Sequence, residues 1–292
     1  MQGQILVSGA TGTQGGAVAR ALLDGGHSVR AMTRNPAGTA ARALAARGAE
    51  VVAADFDDSD SLRRAATGVE AVYAMGTPYE ADATREAEQA RRLVDAAVAA
   101  GTDYLVYSSV ASALEDTGVP HFESKAQVER HLQDLPIAHT VLAPAMFMDN
   151  SLSADHRQRI AGGSYAFPLP AEIPVQQIAI DDLAAFTALA FSDPESFAGR
   201  RIELASTSAS GAQVAGALSD AVGHDVDYQE IPLAAIEASG NDDLAAMLRF
   251  FRDRGYEVDI DALHSTYPQI PWHGLQDWVQ KQWSGYPSEQ HV

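Results

Sequence analysis

The residues with the most specific chemistry are Ser8-Gly9-Ala10-Thr11-Gly12-Thr13-Gln14-Gly15-Gly16. They follow the apolar run Ile5-Leu6-Val7 and lead into an alanine- and leucine-rich helix pattern through Leu23. Glycine permits tight φ/ψ and close approach of backbone to a ligand. A helix start presents unpaired N–H groups and the positive end of its dipole. Strand, glycine turn and helix start in succession make a cradle for a pyrophosphate, and the βαβ placement gives the motif its weight. Gly9, Thr11, Gly12, Thr13, Gln14 and Gly15 are therefore expected against a dinucleotide, with Thr13 helping to hold a phosphate.

Residues after the next strands extend this site. An NAD-type pattern places an acid about 20 positions beyond the glycines, where it accepts the ribose hydroxyls. Here the second strand ends Thr33-Arg34-Asn35, with no acid. An arginine at that point pairs with a 2′-phosphate, so Arg34 predicts NADP(H) as the cofactor. A solvated loop arginine is the alternative. Asp55 and Phe56, past the third strand, are placed to bracket an adenine, the carboxylate toward its amino group and the ring over a face. Asp57 or Asp58 reads as the cap of the following helix. Gly76 past the fourth strand lets the backbone lie against the cofactor, and Thr77 supplies a hydroxyl. A plain turn accounts for Gly76 and Pro78 almost as well.

The elements that must position these residues alternate. Strands are predicted at Gln4–Ser8, Ser28–Thr33, Glu50–Ala54, Ala71–Met75, Tyr104–Ser108 and His139–Leu142. Helical patterns lie near Gly16–Leu23, Thr39–Arg47, Ser59–Ala66, Ala83–Ala100 and Phe122–Leu132, with Gly25, Gly48 and Gly101 placed as left-handed caps. This is the pattern of an α/β fold with a doubly wound parallel sheet, a Rossmann domain, whose ligands bind beyond the C-terminal strand ends. The regularity fades after Asn150. Residues 1–150 are read as the NADP(H)-binding domain. Residues 151–292 are read as a smaller α/β substrate lobe, some of whose elements are free to pack back on the sheet. Asp181 and Asp182 read as caps of a helix over Leu183–Phe191. A strand at Arg201–Leu204 and a helix at Gln213–Val222 follow, and Leu275, Trp278 and Val279 have the spacing of a core-facing helix.

Composition narrows the classes. The 292 residues carry 20 Lys plus Arg against 39 Asp plus Glu, a net charge of -19, which opposes binding to nucleic acid or anionic membranes. With no cysteine, thiolate metal sites and a cysteine nucleophile are excluded. No HExxH or close histidine pairing suggests a metal site, and no G-x-S-x-G elbow suggests a hydrolase. No apolar run reaches the roughly 18 residues of a membrane span, and no signal core precedes the first strand, so a cytoplasmic protein is expected.

With these residues in place, the chain resembles the NmrA-like family of atypical extended short-chain dehydrogenase/reductases. The resemblance is carried by Val7 through Gly15, Arg34, Asp55, Tyr107-Ser108-Ser109, Ser124-Lys125 and Phe147-Met148-Asp149-Asn150. It implies an NADP(H)-binding Rossmann domain and a C-terminal substrate lobe. It also implies one of two activities. Some members are NADPH-dependent reductases of quinones, aromatic ethers or other conjugated small molecules. Others are non-catalytic redox sensors that bind NADP(H) and regulate a protein partner.

The wider superfamily sets a tyrosine four residues before a lysine, on one helix face. The matching stretch is His121-Phe122-Glu123-Ser124-Lys125, with histidine in place of tyrosine. The resemblance assigns Lys125 to the nicotinamide ribose and leaves His121 as a general acid or as a helix-start residue facing solvent. The superfamily's serine lies just past the fifth strand, where Val110 can align with it in place of a serine, and Ser109 is expected to hydrogen-bond near the nicotinamide. Tyr79, Phe147 and Met148 are candidates to cover the substrate, although core packing explains Phe147 and Met148 equally well.

Overall fold

In the computed structural model, residues 3–76 and 83–283 are described. Short strands alternate with helices through the first half of the chain. The first half contains β1 (Gln4–Val7), α1 (Thr13–Asp24), β2 (Ser28–Thr33), α2 (Thr39–Ala46), β3 (Glu50–Ala53) and α3 (Ser59–Ala66). It continues through β4 (Ala71–Met75), α4 (Ala83–Ala99), β5 (Tyr104–Ser108), α5 (Pro120–Gln133) and β6 (Ala138–Pro144). The whole of β5 and all but the last residue of β4 are buried, as in strands covered on both faces.

The second half opens with β7 (Met146–Phe147), α6 (Ala154–Ala161), β8 (Ser164–Phe167), β9 (Pro174–Ile178), α7 (Ile180–Ser192), α8 (Pro194–Phe197) and β10 (Arg201–Leu204). It closes with β11 (Thr207–Ser210), α9 (Gly211–Val222), β12 (Asp227–Glu230), α10 (Leu233–Ala238), α11 (Asp242–Asp253), α12 (Ile260–Thr266) and α13 (Leu275–Trp283). No helix among the described residues is long and apolar enough to cross a membrane.

The main sheet has seven strands in the order β10-β6-β5-β4-β1-β2-β3. Each pairing from β3 across to β6 is parallel. The strand order reverses between β1 and β4, which is the Rossmann switch point. One compact unit comprises the residues up to Asp116 with Pro120–Pro144 and Leu183–Glu203. A core of Leu6, Val72, Leu93, Leu105, Tyr107 and Leu132 lies within it. The other unit comprises Thr117–Val119, Ala145–Asp182 and the residues from Leu204 onward. It holds the sheet β11-β9-β7 and the parallel pair β12-β8. Trp278 and Val279 of α13 join the core of that second unit, as their helical spacing predicted, with Leu275 packed against it partly buried; Trp283, which that spacing did not include, joins them.

Two local expectations are corrected. Helix α1 ends at Asp24, so Gly25 has φ -75 and the left-handed turn falls on Gly26, with φ 81. Gly48 and Gly101 do take left-handed conformations. Helix α7 starts at Ile180, not Leu183, which puts Asp181 and Asp182 inside its first turn. Asp182 is fully buried. Its carboxylate accepts from Ser206 Oγ at 2.5 Å and from the His273 N–H at 2.8 Å, and lies 2.5 Å from His273 Nδ1. This carboxylate therefore ties down the segment leading into α13.

Candidate functional site

The turn between β1 and α1 is built from glycine's missing side chain. Gly9 has φ +60, and its carbonyl accepts the Gly12 N–H at 2.9 Å. Gly12 is the N-cap of α1 and makes no side-chain hydrogen bond to the first turn, so the helix start carries no capping hydroxyl or carboxylate. A Cβ on Gly15 would lie 2.4 Å from the Gly9 carbonyl oxygen and 2.5 Å from that of Ser8. The helix start is thus seated directly on the end of β1. Thr11 and Thr13 are exposed on the turn. Thr11 Oγ1 lies 3.3 Å from Thr33 Oγ1, which links the turn to the end of β2, and exposed Arg34 follows immediately.

Gln14 has a different surrounding from its neighbours. Its amide donates to Tyr73 OH at 2.8 Å and to Ser108 Oγ at 2.6 Å, spanning β4 and β5. Burial pushes the Tyr73 phenol up to about 12, so it stays neutral and can accept. Gln14 presents its backbone, not its side chain, at the helix start.

After β3, Asp55 is exposed and its Oδ1 accepts the Asp57 N–H at 2.9 Å, while Phe56 is half-buried against the core. Asp58 is the helix cap, accepting the N–H groups of Asp60 and Ser61 at 3.0 and 3.1 Å. Asp57 instead binds α4: Arg85 at 2.5 Å, Arg92 at 2.9 Å and Gln89 at 3.2 Å. The hydrogen bonds from Arg85 and Gln89 hold its carboxyl below the usual carboxylate range. This anchor of the β3–α3 loop was not foreseen, since its donors lie a full β-strand and helix away in the chain.

Past β4, a Cβ on Gly76 would lie 2.7 Å from both Cγ and Oε1 of Glu86. Thr77, with Pro78 and Tyr79, lies outside the described residues. Glu86, in the first turn of α4, is only 1% exposed. Its Oε1 lies 2.6 Å from Lys125 Nζ, and Ser124 Oγ donates toward its Oε2 at 3.0 Å. The Lys125 ammonium also sits 6.0 Å from the Tyr107 ring centroid. His121, one turn earlier on α5, is half-buried and meets the Phe122 ring edge-on at 4.7 Å. Its carbonyl lies 2.8 Å from Ser124 Oγ.

Ser109 is committed elsewhere. Its N–H donates to the Leu142 carbonyl at 2.8 Å and its hydroxyl donates to Glu129, which is 2% exposed. Glu129 Oε2 pairs with Arg201 Nε at 2.7 Å. Arg201 also reaches Glu203 at 2.7 Å and the Val110 carbonyl at 3.1 Å, and Glu203 accepts the Ser112 N–H at 2.8 Å. Ser112 is held at φ 59, a left-handed conformation unusual for a residue with a side chain. Glu86 and Glu129 were missed in the sequence. The available signal was an acid standing in an apolar helical series: Glu86 with Ala90, Leu93 and Ala97, and Glu129 with Phe122, Ala126 and Leu132.

The NmrA-like family model matches residues 1–278. An NAD(P)H azoreductase from Xenophilus azovorans is 33% identical over 78% of this chain and 77% of its own length. An NmrA-like family domain-containing oxidoreductase from a Cladobotryum species is 35% identical over 56% of this chain, which spans about half, 52%, of that relative. Among solved structures, an NADPH-dependent quinone oxidoreductase from Escherichia coli, crystallised with NADPH, superposes with a TM-score of 0.78. It is 27% identical, and the match covers 95% of this chain and 98% of that one.

Proposed function

The chain belongs to the NmrA-like family, and from that premise we propose that it is an NADPH-dependent reductase of a small aromatic or conjugated substrate, such as a quinone or an enone. The observation that carries the reading is the cradle at Gly9, Gly12 and Gly15. There a bare helix start rests on the strand end with no space for a Cβ at Gly15. Backbone N–H groups at that position bind a diphosphate without a specific side chain. Arg34, exposed at the end of β2, pairs with the 2′-phosphate and so selects NADP(H) over NAD(H). The azoreductase and quinone reductase relatives support the same cofactor and reaction class.

Bound in this cradle, NADPH supplies a hydride from its nicotinamide. The chain's own residues orient it and handle the proton. A lysine ammonium has three donors. Lys125, paired with Glu86 at 2.6 Å, is assigned to the ribose hydroxyls. His121, or a water beside it, delivers the proton that completes the reduction. Asp55 and Phe56 remain assigned to the adenine end, and Gly76 and Thr77 to the cofactor's path along the strand ends.

The test is NADPH oxidation measured against a panel of quinones, enones, aldehydes and azo dyes. Turnover above background with at least one is expected. A second reading, a non-catalytic NADP(H) sensor acting on a protein partner, is favoured by the histidine in the tyrosine position and by the engagement of the Ser109 hydroxyl with Glu129. Tight NADPH binding with no turnover across the panel selects that reading and counts against the first.

A further inference from the structure

We propose that Glu86 is a positioning residue for the cofactor, acting through Lys125: its buried carboxylate holds the Lys125 ammonium in place. The inference rests on the reading that Lys125 meets the NADPH ribose. The chain contains only two lysines, Lys125 and Lys281, and its remaining cations are arginines. Lys281 is half exposed and pairs with Asp181 at the surface, whereas Lys125 has 10% of its side chain exposed and faces a carboxylate that is 1% exposed. Burying two charges is costly, and an apolar pair of similar volume is commonly as stable or more so. An ion pair that merely joined α4 to α5 would therefore have little to recommend it. A compact ammonium with protons to spare is suited to hydrogen-bonding a diol.

The carboxylate has a hydroxyl at one oxygen and an ammonium at the other. Ser124 Oγ lies 3.0 Å from Oε2, Lys125 Nζ lies 2.6 Å from Oε1, and Gly76 leaves the space that Cγ and Oε1 occupy. The other titratable and charged groups near the ammonium are His121, one turn before it on α5, and Tyr107 on β5, whose ring it overlies. Burial keeps the Tyr107 phenol neutral, pushing it well above its usual range, with Glu86 and Glu129 adding to that and Arg91 opposing it. Glu86 is thus the acid in contact with Lys125 among the described residues.

The experiment measures NADPH affinity by titration calorimetry. It uses the full chain, Lys125→Met, Glu86→Gln and the double variant. Lys125→Met is expected to weaken binding about tenfold, the scale of one charge-assisted contact. Glu86→Gln is expected to weaken it by a similar or smaller factor. The double variant is expected to bind no more weakly than Lys125→Met alone, because the two residues act through one contact. Normal affinity for Glu86→Gln, or additive losses in the double variant, overturns the role of Glu86 and leaves the cofactor reading standing. Normal affinity for Lys125→Met removes the contact itself, and the inference with it. Should Glu86→Gln fail to fold, Glu86→Asp, which keeps the charge and shortens its reach, takes its place, and a loss that persists in full on the Lys125→Met background overturns the proposal.

Discussion

The β1–α1 turn and the β5–α5 region both lie past the C-terminal ends of parallel strands, and they are constructed by opposite means. At β1–α1 the framework is backbone: Gly12 is exposed at the helix start, and buried Gly15 lets that start sit against the Ser8 and Gly9 carbonyls. At β5–α5 it is a set of buried charges: Glu86 with Lys125, and Glu129 with Arg201. The first depends on space and the second on pairing. A backbone cradle is specified by a few adjacent residues and fails when volume is added. A buried ion pair is specified by residues far apart in the chain and fails when one partner is removed.

The sharpest way to break the comparison is Arg201→Met. It leaves the Glu129 carboxylate, 2% exposed, without its cation. The expected loss is about 3–5 kcal/mol of unfolding free energy, the scale of an orphaned buried charge. Denaturant melts check it, and pairing the change with Glu129→Gln should recover part of the loss. An unaffected midpoint would mean that this region tolerates unpaired charge and that the contrast fails.

Gly15→Ala tests the other side. The new methyl would meet two carbonyl oxygens at 2.4 and 2.5 Å, so backbone must move. Overpacking of this kind costs about 1–3 kcal/mol. Affinity is expected to fall by the same factor for NADPH and NADH, because both share the diphosphate. Arg34→Ala is the most selective change. It should weaken NADPH by on the order of 1–3 kcal/mol and leave NADH nearly untouched. Competitive titration of the two nucleotides reads both variants, and an equal loss for Arg34→Ala would contradict its phosphate role.

The same contrast explains what could be read from the chain beforehand. The alternation of apolar runs with helical patterns located every element from β1 through β6 and α1 through α5, because each such element is decided by local periodicity and caps; the ends differ most at α1, which starts at Thr13 and not Gly16. The glycine motif was legible for the same reason: its geometry is complete within nine residues. Lys125 could be singled out by its offset from His121, but its partner Glu86 is 39 positions earlier on another helix. Ser109 was expected toward the cofactor, and the residue that takes its hydroxyl, Glu129, is placed by the packing of α5 on β5. Gln14 similarly lies within the motif, while its amide is fixed by Tyr73 and Ser108 on two other strands. Side-chain direction was decided by tertiary packing, which no spacing rule contains.

Arg201 and Glu203 stand on β10, which joins the sheet beside β6 only after the chain has passed through Ala145–Asp182. The scaffold of the dinucleotide half is consequently unfinished when residue 150 leaves the ribosome. Its last edge strand, and the guanidinium that neutralises Glu129, are still to be synthesised. No single cut yields both halves whole, so deletion series, split-protein reporters and domain transplants must carry Leu183–Glu203 along with the first 144 residues.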